Sequence, residues 1–293
     1  MPTHAKLSRT SAAYLFLLPA ALFYLAVVVL PILLSLFMSF YHLTPDADAF
    51  TGLANFRRLL HDPVFWQSLL HNLILVVLSL AIQLPLALLL ATFLSAPTFG
   101  GRLFRGAFFM PMMLSTVVIA LVAREIFRPD VGLVNSALKT VLGLHHGPDW
   151  FGQSLALVTV IIAVCWRFTG FHMMLFIAGI QSIPEDLYEA ARIEGAGSWA
   201  CFRHVTLPSL RPVIAVCALL SVVGSLKYFD LVFLITQGGP GHASELMTTY
   251  MYDQAFARYD WGYASAVAVA TFVVSLLAAS AYVLVLRRRE AQP

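Results

Sequence analysis

Residues 185–212 read EDLYEAARIEGAGSWACFRHVTLPSLRP, a polar stretch between two long apolar runs. Seven of its residues are charged: Glu185, Asp186, Glu189, Arg192, Glu194, Arg203 and Arg211. The chain as a whole is different, since 60% of its residues are hydrophobic, 11% are charged and its mean hydropathy is +0.82. A chain of 293 residues cannot hide that much apolar surface in a water-soluble core. The sequence therefore predicts a membrane protein with a polar loop outside the bilayer.

Six apolar runs are candidates for membrane-spanning helices, because about 20 apolar residues cross a hydrocarbon core of roughly 30 Å. They are residues 12–40, 69–94, 107–122, 155–180, 213–235 and 263–286. The first run is too long for a cleaved signal peptide, so we expect it to remain as a helix. Four prolines within the runs should produce kinks: Pro19, Pro31, Pro85 and Pro111. The predicted fold is an all-α membrane protein with six transmembrane helices in a single domain, residues 1–293.

The placement of lysine and arginine predicts that both termini lie in the cytoplasm, because basic loops are retained there. In that orientation ten basic residues are cytoplasmic and six are external, while Arg167 and Lys227 lie within the membrane. The polar loop, residues 181–212, is then cytoplasmic. On the outer side we expect residues 56–70 to form a helix in the membrane interface, and residues 131–144 a second such helix.

Two short helices separated by a glycine elbow are expected within the polar loop. Ser182 has capping-box spacing from Glu185, so the first helix should begin there, and Gly195 and Gly197 should end it. Ser198 can cap the second helix, before Pro208 forces an extended approach to the fifth span. Small residues on such a projection allow another protein to come close. The alternative is a solvated connection between two spans.

The spacing within this loop resembles the EAA signature of permease subunits of binding-protein-dependent ATP-binding-cassette importers. Glu189-Ala190-Ala191 is followed by three residues and a glycine, and then by nine residues, a valine, and LP at 207–208. The resemblance extends to GLANFRRLLHDPVFW at 52–66, FFMP at 108–111, AGIQSIPEDLYEAARIEGA at 178–196 and FDLVFLITQGGPG at 229–241. These segments resemble the carbohydrate-uptake branch of the family.

This resemblance implies a type I importer transmembrane domain whose polar loop is a coupling helix, seated in a cleft of a cytoplasmic ATPase subunit. The residues that it implies at the ATPase contact are Glu189, Ala190, Ala191, Gly195, Leu207 and Pro208. It also implies a second permease subunit, two ATPase subunits, surrounding membrane lipid and an extracytoplasmic solute-binding protein that delivers a sugar, with no nucleic acid. The chain would form half of the translocation pathway in a bacterial or archaeal inner membrane.

No catalytic motif is found in the sequence. The chain has no G-x-x-x-x-G-K-[ST], so we expect ATP and Mg²⁺ on a partner subunit and no cofactor on this chain. GAGSWA at 195–200 follows a charged helical segment rather than a strand, which excludes a dinucleotide fingerprint. HExxH and G-x-S-x-G are also absent. The adjacent His145 and His146, with Asp149, are expected in a surface loop rather than in a metal site.

The predicted spans hold two groups of candidate pathway residues. Arg167 lies near the middle of the fourth run, where its charge costs about 3 kcal/mol, so it must line the pathway or pair with carbonyls or a neighbouring subunit. The fifth run carries a stripe of small and polar residues that can line a sugar path or form a close-packed seam between helices. The stripe consists of Cys217, Ser221, Gly224, Ser225 and Tyr228. Our pathway candidates are Arg167, Ser221, Ser225 and Tyr228.

The remaining polar residues of the spans are given structural interpretations. We expect His172 to be a packing histidine, Gln83 to form an interhelical hydrogen bond, and Lys227 to pair locally with Asp230. The alternatives to sugar import are import of another solute such as a glycerol phosphoester, or secondary transport. A secondary transporter would need an intramembrane carboxylate or broken helices in matching halves, and the sequence shows neither. The sequence leaves open the identity of the sugar, whether this subunit contacts it, and whether the two permease subunits are identical.

Overall fold

The computed structural model describes residues 9–95, 98–143 and 146–290, and most of this chain is helical. The helices are α1 (Arg9–Tyr24), α2 (Leu30–Met38), α3 (Ala54–Leu60), α4 (Pro63–Leu78), α5 (Leu84–Leu94), α6 (Phe99–Met113), α7 (Thr116–Ile126), α8 (Leu133–Leu142), α9 (Ala156–Gln181), α10 (Glu185–Ile193), α11 (Ser198–Cys201), α12 (Leu207–Ser209), α13 (Arg211–Leu226), α14 (Asp230–Ile235), α15 (Met247–Tyr252) and α16 (Trp261–Glu290). One antiparallel hairpin pairs β1 (Tyr41–Thr44) with β2 (Ala47–Phe50). The all-α prediction is confirmed apart from this hairpin.

Within the described residues, four helices are long and apolar enough to cross a membrane: Phe16–Met38, Pro63–Leu94, Ala156–Gln181 and Trp261–Leu286. Two pairs of bent helices raise the number to six if each pair counts as one span. The first pair is α6 with α7, bent by 104°, and the second is the helical segment Ser198–Ser209 with α13, bent by 65°. The six predicted apolar runs therefore all lie on helices, but not all as straight spans.

The third predicted span, residues 107–122, is wrong as a single helix. α6 ends at Met113, Leu114 is extended with φ −72° and ψ 149°, and α7 begins at Thr116. The cause is the N-cap of α7, where the backbone N–H of Val118 donates to Ser115 Oγ over 3.3 Å. A single serine lowers the mean hydropathy of a long apolar run only slightly, so the run still satisfies the length and composition of one span.

The bounds of the second and fifth spans also differ from the prediction. The fifth apolar run, residues 213–235, is divided, because α13 ends at Leu226 and α14 begins at Asp230. The predicted interfacial helix 56–70 is divided too, since α3 ends at Leu60 and Pro63 opens the second span. Proline is favoured in the first turn of a helix, where its missing N–H has no intrahelical partner to lose. The second interfacial prediction, residues 131–144, corresponds to α8.

Three prolines of the helical segments are accommodated by π-helical turns, whereas Pro19 and Pro111 lie inside α1 and α6. Three such turns each end two residues before a proline: Leu25–Val29 before Pro31, Ser79–Gln83 before Pro85, and Phe202–Thr206 before Pro208. A proline lacks an N–H and its ring clashes with the carbonyl four residues earlier, and a widened turn moves that carbonyl away. The predicted extended approach at Pro208 is therefore wrong, because this residue lies in α12.

Two compact units are distinguished in the chain. One takes in the chain up to Asp62 together with Met251–Ala270, and the other takes in Pro63–Tyr250 and the chain from Thr271. In the first unit, Asn55 Nδ2 donates to the carbonyl oxygens of Ser39, over 3.0 Å, and Tyr41, over 2.8 Å. Arg58 forms an ion pair with Asp260 at 2.6 Å. These contacts fix α3 against the hairpin and against the start of α16.

The second unit is organised around α9. One cluster of buried side chains joins α4, α7, α9 and α14, and includes Leu75, Ile119, Val160, Val164 and Leu231. Another joins α5, α9 and α13, and includes Ala87, Met173, Phe176, Cys217 and Ala218. α6 also packs closely on α9, since a Cβ on Gly170 would overlap the carbonyl group of Phe108. Small residues that allow such close approach are common between helices in membranes.

Candidate functional site

The first helix of the polar loop is α10, which begins where the sequence predicts but is not capped as predicted. Ser182 Oγ donates to the carbonyl oxygen of Gly179 over 2.7 Å, and no side chain caps α10. The capping-box prediction for Ser182 and Glu185 is wrong because Ser182 is the C-cap residue of α9 and its side chain bonds back to that helix. Pro184, with φ −58° and ψ 133°, places the chain in the extended conformation before α10.

The glycine elbow is confirmed, and its hydrogen bonds explain why α10 stops. Gly195 has φ +86°, a left-handed conformation that side chains with a Cβ disfavour. Its N–H donates to the carbonyl of Arg192 over 3.0 Å, and the N–H of Ala196 donates to that of Ala191 over 2.9 Å. This pair of bonds is the Schellman motif, which satisfies the last carbonyls of a helix.

The second helical segment of the polar loop runs from Ser198 to Ser209 and is broken only by the widened turn before Leu207. The predicted cap at Ser198 is wrong, since Gly197 is the N-cap residue and no side chain caps this helix. The segment meets α13 at Leu210, which is fully buried. Leu210 and Val213 lie against Gly179, where an added Cβ would come within 2.7 Å of Leu210 Cδ2.

Half of the six residues of the EAA signature are exposed, and none of the six is buried. Glu189, Ala190 and Gly195 are exposed, while Ala191, Leu207 and Pro208 are half-buried. Arg192 forms an ion pair with Glu185 at 3.3 Å, and both side chains are exposed. Nothing within 4 Å would meet a Cβ on Gly195, so the backbone conformation alone requires glycine there.

The structure adds two large apolar side chains to this surface that our sequence reasoning missed. Ile193 is 87% exposed and Trp199 is 70% exposed, and the Trp199 ring stacks on Phe202 with centroids 5.5 Å apart. The signal was available, since both are apolar residues in a polar stretch. An exposed tryptophan and isoleucine beside a row of small residues form a surface suited to a protein partner.

Between the polar loop and the span ends lies an open cleft of about 700 Å³. Its lining includes Thr92, Ser95, Gln181, Tyr188, Arg192 and Phe202. The cleft separates α10 from the ends of α5 and α9. α10 therefore projects away from the transmembrane helices and is held mainly by the segment that follows it.

Within the spans, a polar seam joins the second, fourth and fifth transmembrane segments. The amide nitrogen of Gln83 lies 2.9 Å from His172 Nδ1, and His172 Nε2 lies 3.3 Å from Ser221 Oγ. All three residues are buried. The predictions that Gln83 bonds between helices and that His172 is a packing residue are confirmed.

The seam continues through Asn72, a residue that our sequence reasoning did not single out. Its side-chain amide donates to the carbonyl oxygen of Ser225 over 2.7 Å, and its Oδ1 accepts from the N–H of Met247 over 3.0 Å. Ser225 Oγ lies 3.4 Å from Ser79 Oγ. The hydroxyls of Ser221 and Ser225 thus face other helices of the same chain, around a small cavity of about 50 Å³. A role for these two serines in the pathway stays a prediction.

Arg167 and Tyr228 belong to a separate group that combines a cation with aromatic faces. Arg167 Nη1 donates to Thr116 Oγ1 over 2.6 Å, at the first residue of α7. The guanidinium lies 5.5 Å from the ring centroid of Phe168, whose ring is 5.9 Å from that of Tyr228 in an edge-on arrangement. Arg167 Nε and the Tyr228 hydroxyl are buried and have no hydrogen-bond partner of good geometry in the described chain, and the Arg167 guanidinium lies near the Tyr228 hydroxyl. Free donors beside aromatic faces can bind the hydroxyl groups and ring faces of a sugar.

Other predicted contacts are placed differently. Among the described ion pairs none joins Lys227 to Asp230, so that prediction is wrong; Lys227 is exposed at the end of α13. His145 lies outside the described residues. Asp149 accepts from the N–H of Phe151 over 3.1 Å, and in the described part of the chain no group of three or more His, Cys, Asp or Glu residues could hold a metal ion.

Comparison with known proteins agrees with this architecture. Residues 83–291 match the sequence profile of the family described as "Binding-protein-dependent transport system inner membrane component". The probable ABC transporter permease protein YurN of Bacillus subtilis is 38% identical, over 90% of this chain and 91% of its own length. The lactose transport system permease protein LacF of Rhizobium radiobacter is 34% identical, over 94% of each chain.

The same fold is found in a solved structure. A chain of a bacterial ABC transporter involved in the import of the acidic polysaccharide alginate superimposes with a TM-score of 0.84 over 96% of both chains, at 24% identity. Members of the matching family are membrane components of transport systems rather than enzymes. The chain therefore belongs to the inner-membrane components of binding-protein-dependent transport systems, and it is a multi-pass permease subunit of an ATP-binding-cassette importer.

Proposed function

We propose that this permease is one of two membrane subunits of a sugar importer, and that α10 is the helix through which a separate ATPase subunit drives it. The observation that carries this proposal is the projection of α10 away from the spans. Its Glu189-Ala190-Ala191 row is available to a partner, and its C-terminus is fixed by the Schellman motif at Gly195. Both termini and the polar loop lie in the cytoplasm in this proposal.

The division of labour follows from the chemistry of the chain. It has no phosphate-binding loop, so ATP and Mg²⁺ bind to the two ATPase subunits and no cofactor binds here. A ligand shifts a conformational equilibrium only by its different affinity for the two states. ATP must therefore favour one arrangement of the membrane helices through a mechanical contact, and the ATPase-contact residues are Glu189, Ala190, Ala191, Gly195, Leu207 and Pro208.

A sugar is the substrate class that the relatives and the site support best. The relative from Rhizobium radiobacter is named for lactose, and the structural neighbour imports a polysaccharide. In this chain, Arg167 and Tyr228 offer unused donors beside the ring of Phe168. We place these residues in the translocation pathway, with Ser221 and Ser225 on the adjoining seam, and we assign delivery of the sugar to an extracytoplasmic binding protein.

The test is reconstitution of the whole importer in lipid vesicles. The permease is purified with the second permease, the ATPase and the binding protein encoded beside it, and uptake of the labelled sugar retained by that binding protein is measured. We expect uptake that requires ATP and sugar-loaded binding protein, with a matched complex whose ATPase cannot hydrolyse ATP as the control. Uptake driven by an ion gradient without ATP would show a secondary transporter. Retention of a glycerol phosphoester in place of a sugar would overturn the substrate class.

A further inference from the structure

The hydroxyl groups of Tyr188 and Thr206 join the two helical parts of the polar loop. Tyr188 lies in the middle of α10, and Thr206 ends the π-helical turn before α12. Their oxygens are 2.9 Å apart. Thr206 is 6% exposed and Tyr188 is half-buried, and both residues line the open cleft beside α10. In the described chain it is the only side-chain hydrogen bond between α10 and the helical segment that follows.

The backbone that connects the same two helices is flexible. Residues 194–197 read EGAG, and Gly195 is held in a left-handed turn with open space around it. Gly197, likewise, has nothing within 4 Å of its Cβ position. The Schellman bonds hold Gly195 and Ala196 to α10, so the freedom of the connection lies at Gly197. Glycine gives the backbone more freedom than any other residue, so a connection through one residue of this kind transmits a displacement of α10 poorly. The cleft beneath α10 leaves no rigid support on the side of the spans.

Beyond Thr206 the structure is stiff. Four residues later, the fully buried Leu210 packs on Gly179 of α9, and α13 begins at the next residue. α13 carries Ser221 and Ser225, which bond to the polar seam inside the membrane. A movement of α10 that displaces Thr206 therefore also moves the fifth span. A movement that is transmitted only through the glycine linker is absorbed by its flexible backbone.

We propose that the Tyr188–Thr206 hydrogen bond is the contact that transmits movement of α10 to α13, so that both residues are positioning residues for coupling. The proposal rests on the proposed function, because it needs an ATPase that moves α10. It goes beyond the signature residues, since neither hydroxyl has to touch the ATPase. Loss of the bond should leave the importer assembled and able to hydrolyse ATP, but less able to convert hydrolysis into movement of solute.

The experiment measures the number of sugar molecules transported per ATP hydrolysed in the reconstituted complex. Tyr188→Phe and Thr206→Val each remove one hydroxyl at nearly constant volume, and the double variant removes both. We expect each single variant to lower the transport ratio about fivefold, at the lower end of typical coupling energies. The double variant should be no worse than either single one, because the same bond is lost in all three. Thr206→Ser, which keeps the hydroxyl, should restore the ratio.

Ser209→Ala is the matched control, since Ser209 Oγ donates to Val205 O within its own helix over 2.7 Å. It should leave the transport ratio unchanged. Wild-type ratios in Tyr188→Phe and Thr206→Val would overturn the proposal. Equal losses of ATP hydrolysis and uptake, or a smaller yield of assembled complex, would also overturn it by showing a merely structural bond. A wild-type complex without sugar-stimulated ATP hydrolysis would instead refute the proposed function.

Discussion

The side-chain amide of Asn72 donates a 2.7 Å hydrogen bond to the backbone carbonyl oxygen of Ser225, and so joins the second and fifth spans inside the protein. Asn72 is fully buried, and its Oδ1 accepts from the N–H of Met247 at the same time. A single side chain thus satisfies backbone groups of two other segments. In the hydrocarbon core of a bilayer no water can hydrogen-bond to such backbone groups, so the fold requires that the protein itself supplies their partners.

We predict that Asn72→Leu lowers the free energy of unfolding by about 2 kcal/mol, because two buried backbone groups lose their partner. The measurement is reversible unfolding in mixed detergent micelles. Leu73→Ala, a truncation of the exposed neighbouring side chain, is the control and should have little effect. Equal stability of Asn72→Leu and the wild type would show that water or other groups replace the amide.

Two glycines within the spans, one closely packed and one with open space around it, allow the close packing of the helices to be tested. Gly170→Ala should lower the free energy of unfolding by about 3 kcal/mol, since its methyl group would overlap the Phe108 carbonyl and force α6 away from α9. Gly224→Ala meets nothing within 4 Å and should stabilise α13 by up to about 1 kcal/mol, because alanine is the better helix former. Thermal unfolding of the purified variants distinguishes the two. Similar midpoints would contradict the contact between α6 and α9.

Tyr228 and Tyr282 test the assignment of the pathway. Tyr282 donates to the carbonyl of Ala215 over 2.8 Å, whereas the buried hydroxyl of Tyr228 has no such bond in the described residues. We predict that Tyr228→Phe slows sugar uptake without loss of stability, and that Tyr282→Phe loses about 1 kcal/mol of stability without slowing uptake. Uptake and unfolding are measured on the same preparations. The opposite pattern would remove Tyr228 from the pathway.

The signature residue Glu189 tests the coupling surface. Glu189→Lys reverses an exposed charge on α10, so it should leave the protein in the membrane while lowering ATP-driven uptake at least about tenfold through an unfavourable contact with the ATPase. Gly195→Trp should act in the same direction, because a side chain there strains the left-handed turn and fills the space around it. Glu185→Lys is the control with the same charge change on the same helix. Wild-type uptake in both Glu189→Lys and Gly195→Trp would count against the assignment.

Much of this fold could be predicted because the bilayer restricts what an apolar run can become. The fourth span, predicted as residues 155–180, is α9, Ala156–Gln181. The break at Ser115 was not predicted, since one serine changes the mean hydropathy of the run too little to divide it. The sequence also did not predict that the chain is helical at Pro208. This helix depends on a π-helical turn, for which the amino-acid composition gives no signal.

The candidate site, too, was only partly predictable from the sequence. The end of α10 at Gly195 was predicted, because glycine is favoured just after the last residue of a helix and this preference can be recognised from neighbouring residues alone. Asn72 was missed because its partners are a carbonyl 153 residues away and an N–H 175 residues away, and contacts with backbone groups at that separation have no local pattern. The aromatic pair beside Arg167 was not predicted for a similar reason. Phe168 is its neighbour in sequence, but Tyr228 comes close only when the fourth and fifth spans pack.

The central claim is that α10 touches the ATPase, and photo-cross-linking from its exposed face tests that contact most directly. A photoreactive phenylalanine derivative in place of Ile193, which is 87% exposed, should give an adduct with the ATPase subunit both without nucleotide and with ATP bound. The same probe in place of Leu133 on α8, which is 71% exposed, should give none. Absence of an ATPase adduct from position 193 at every stage of the cycle, in a complex that transports, would contradict the account.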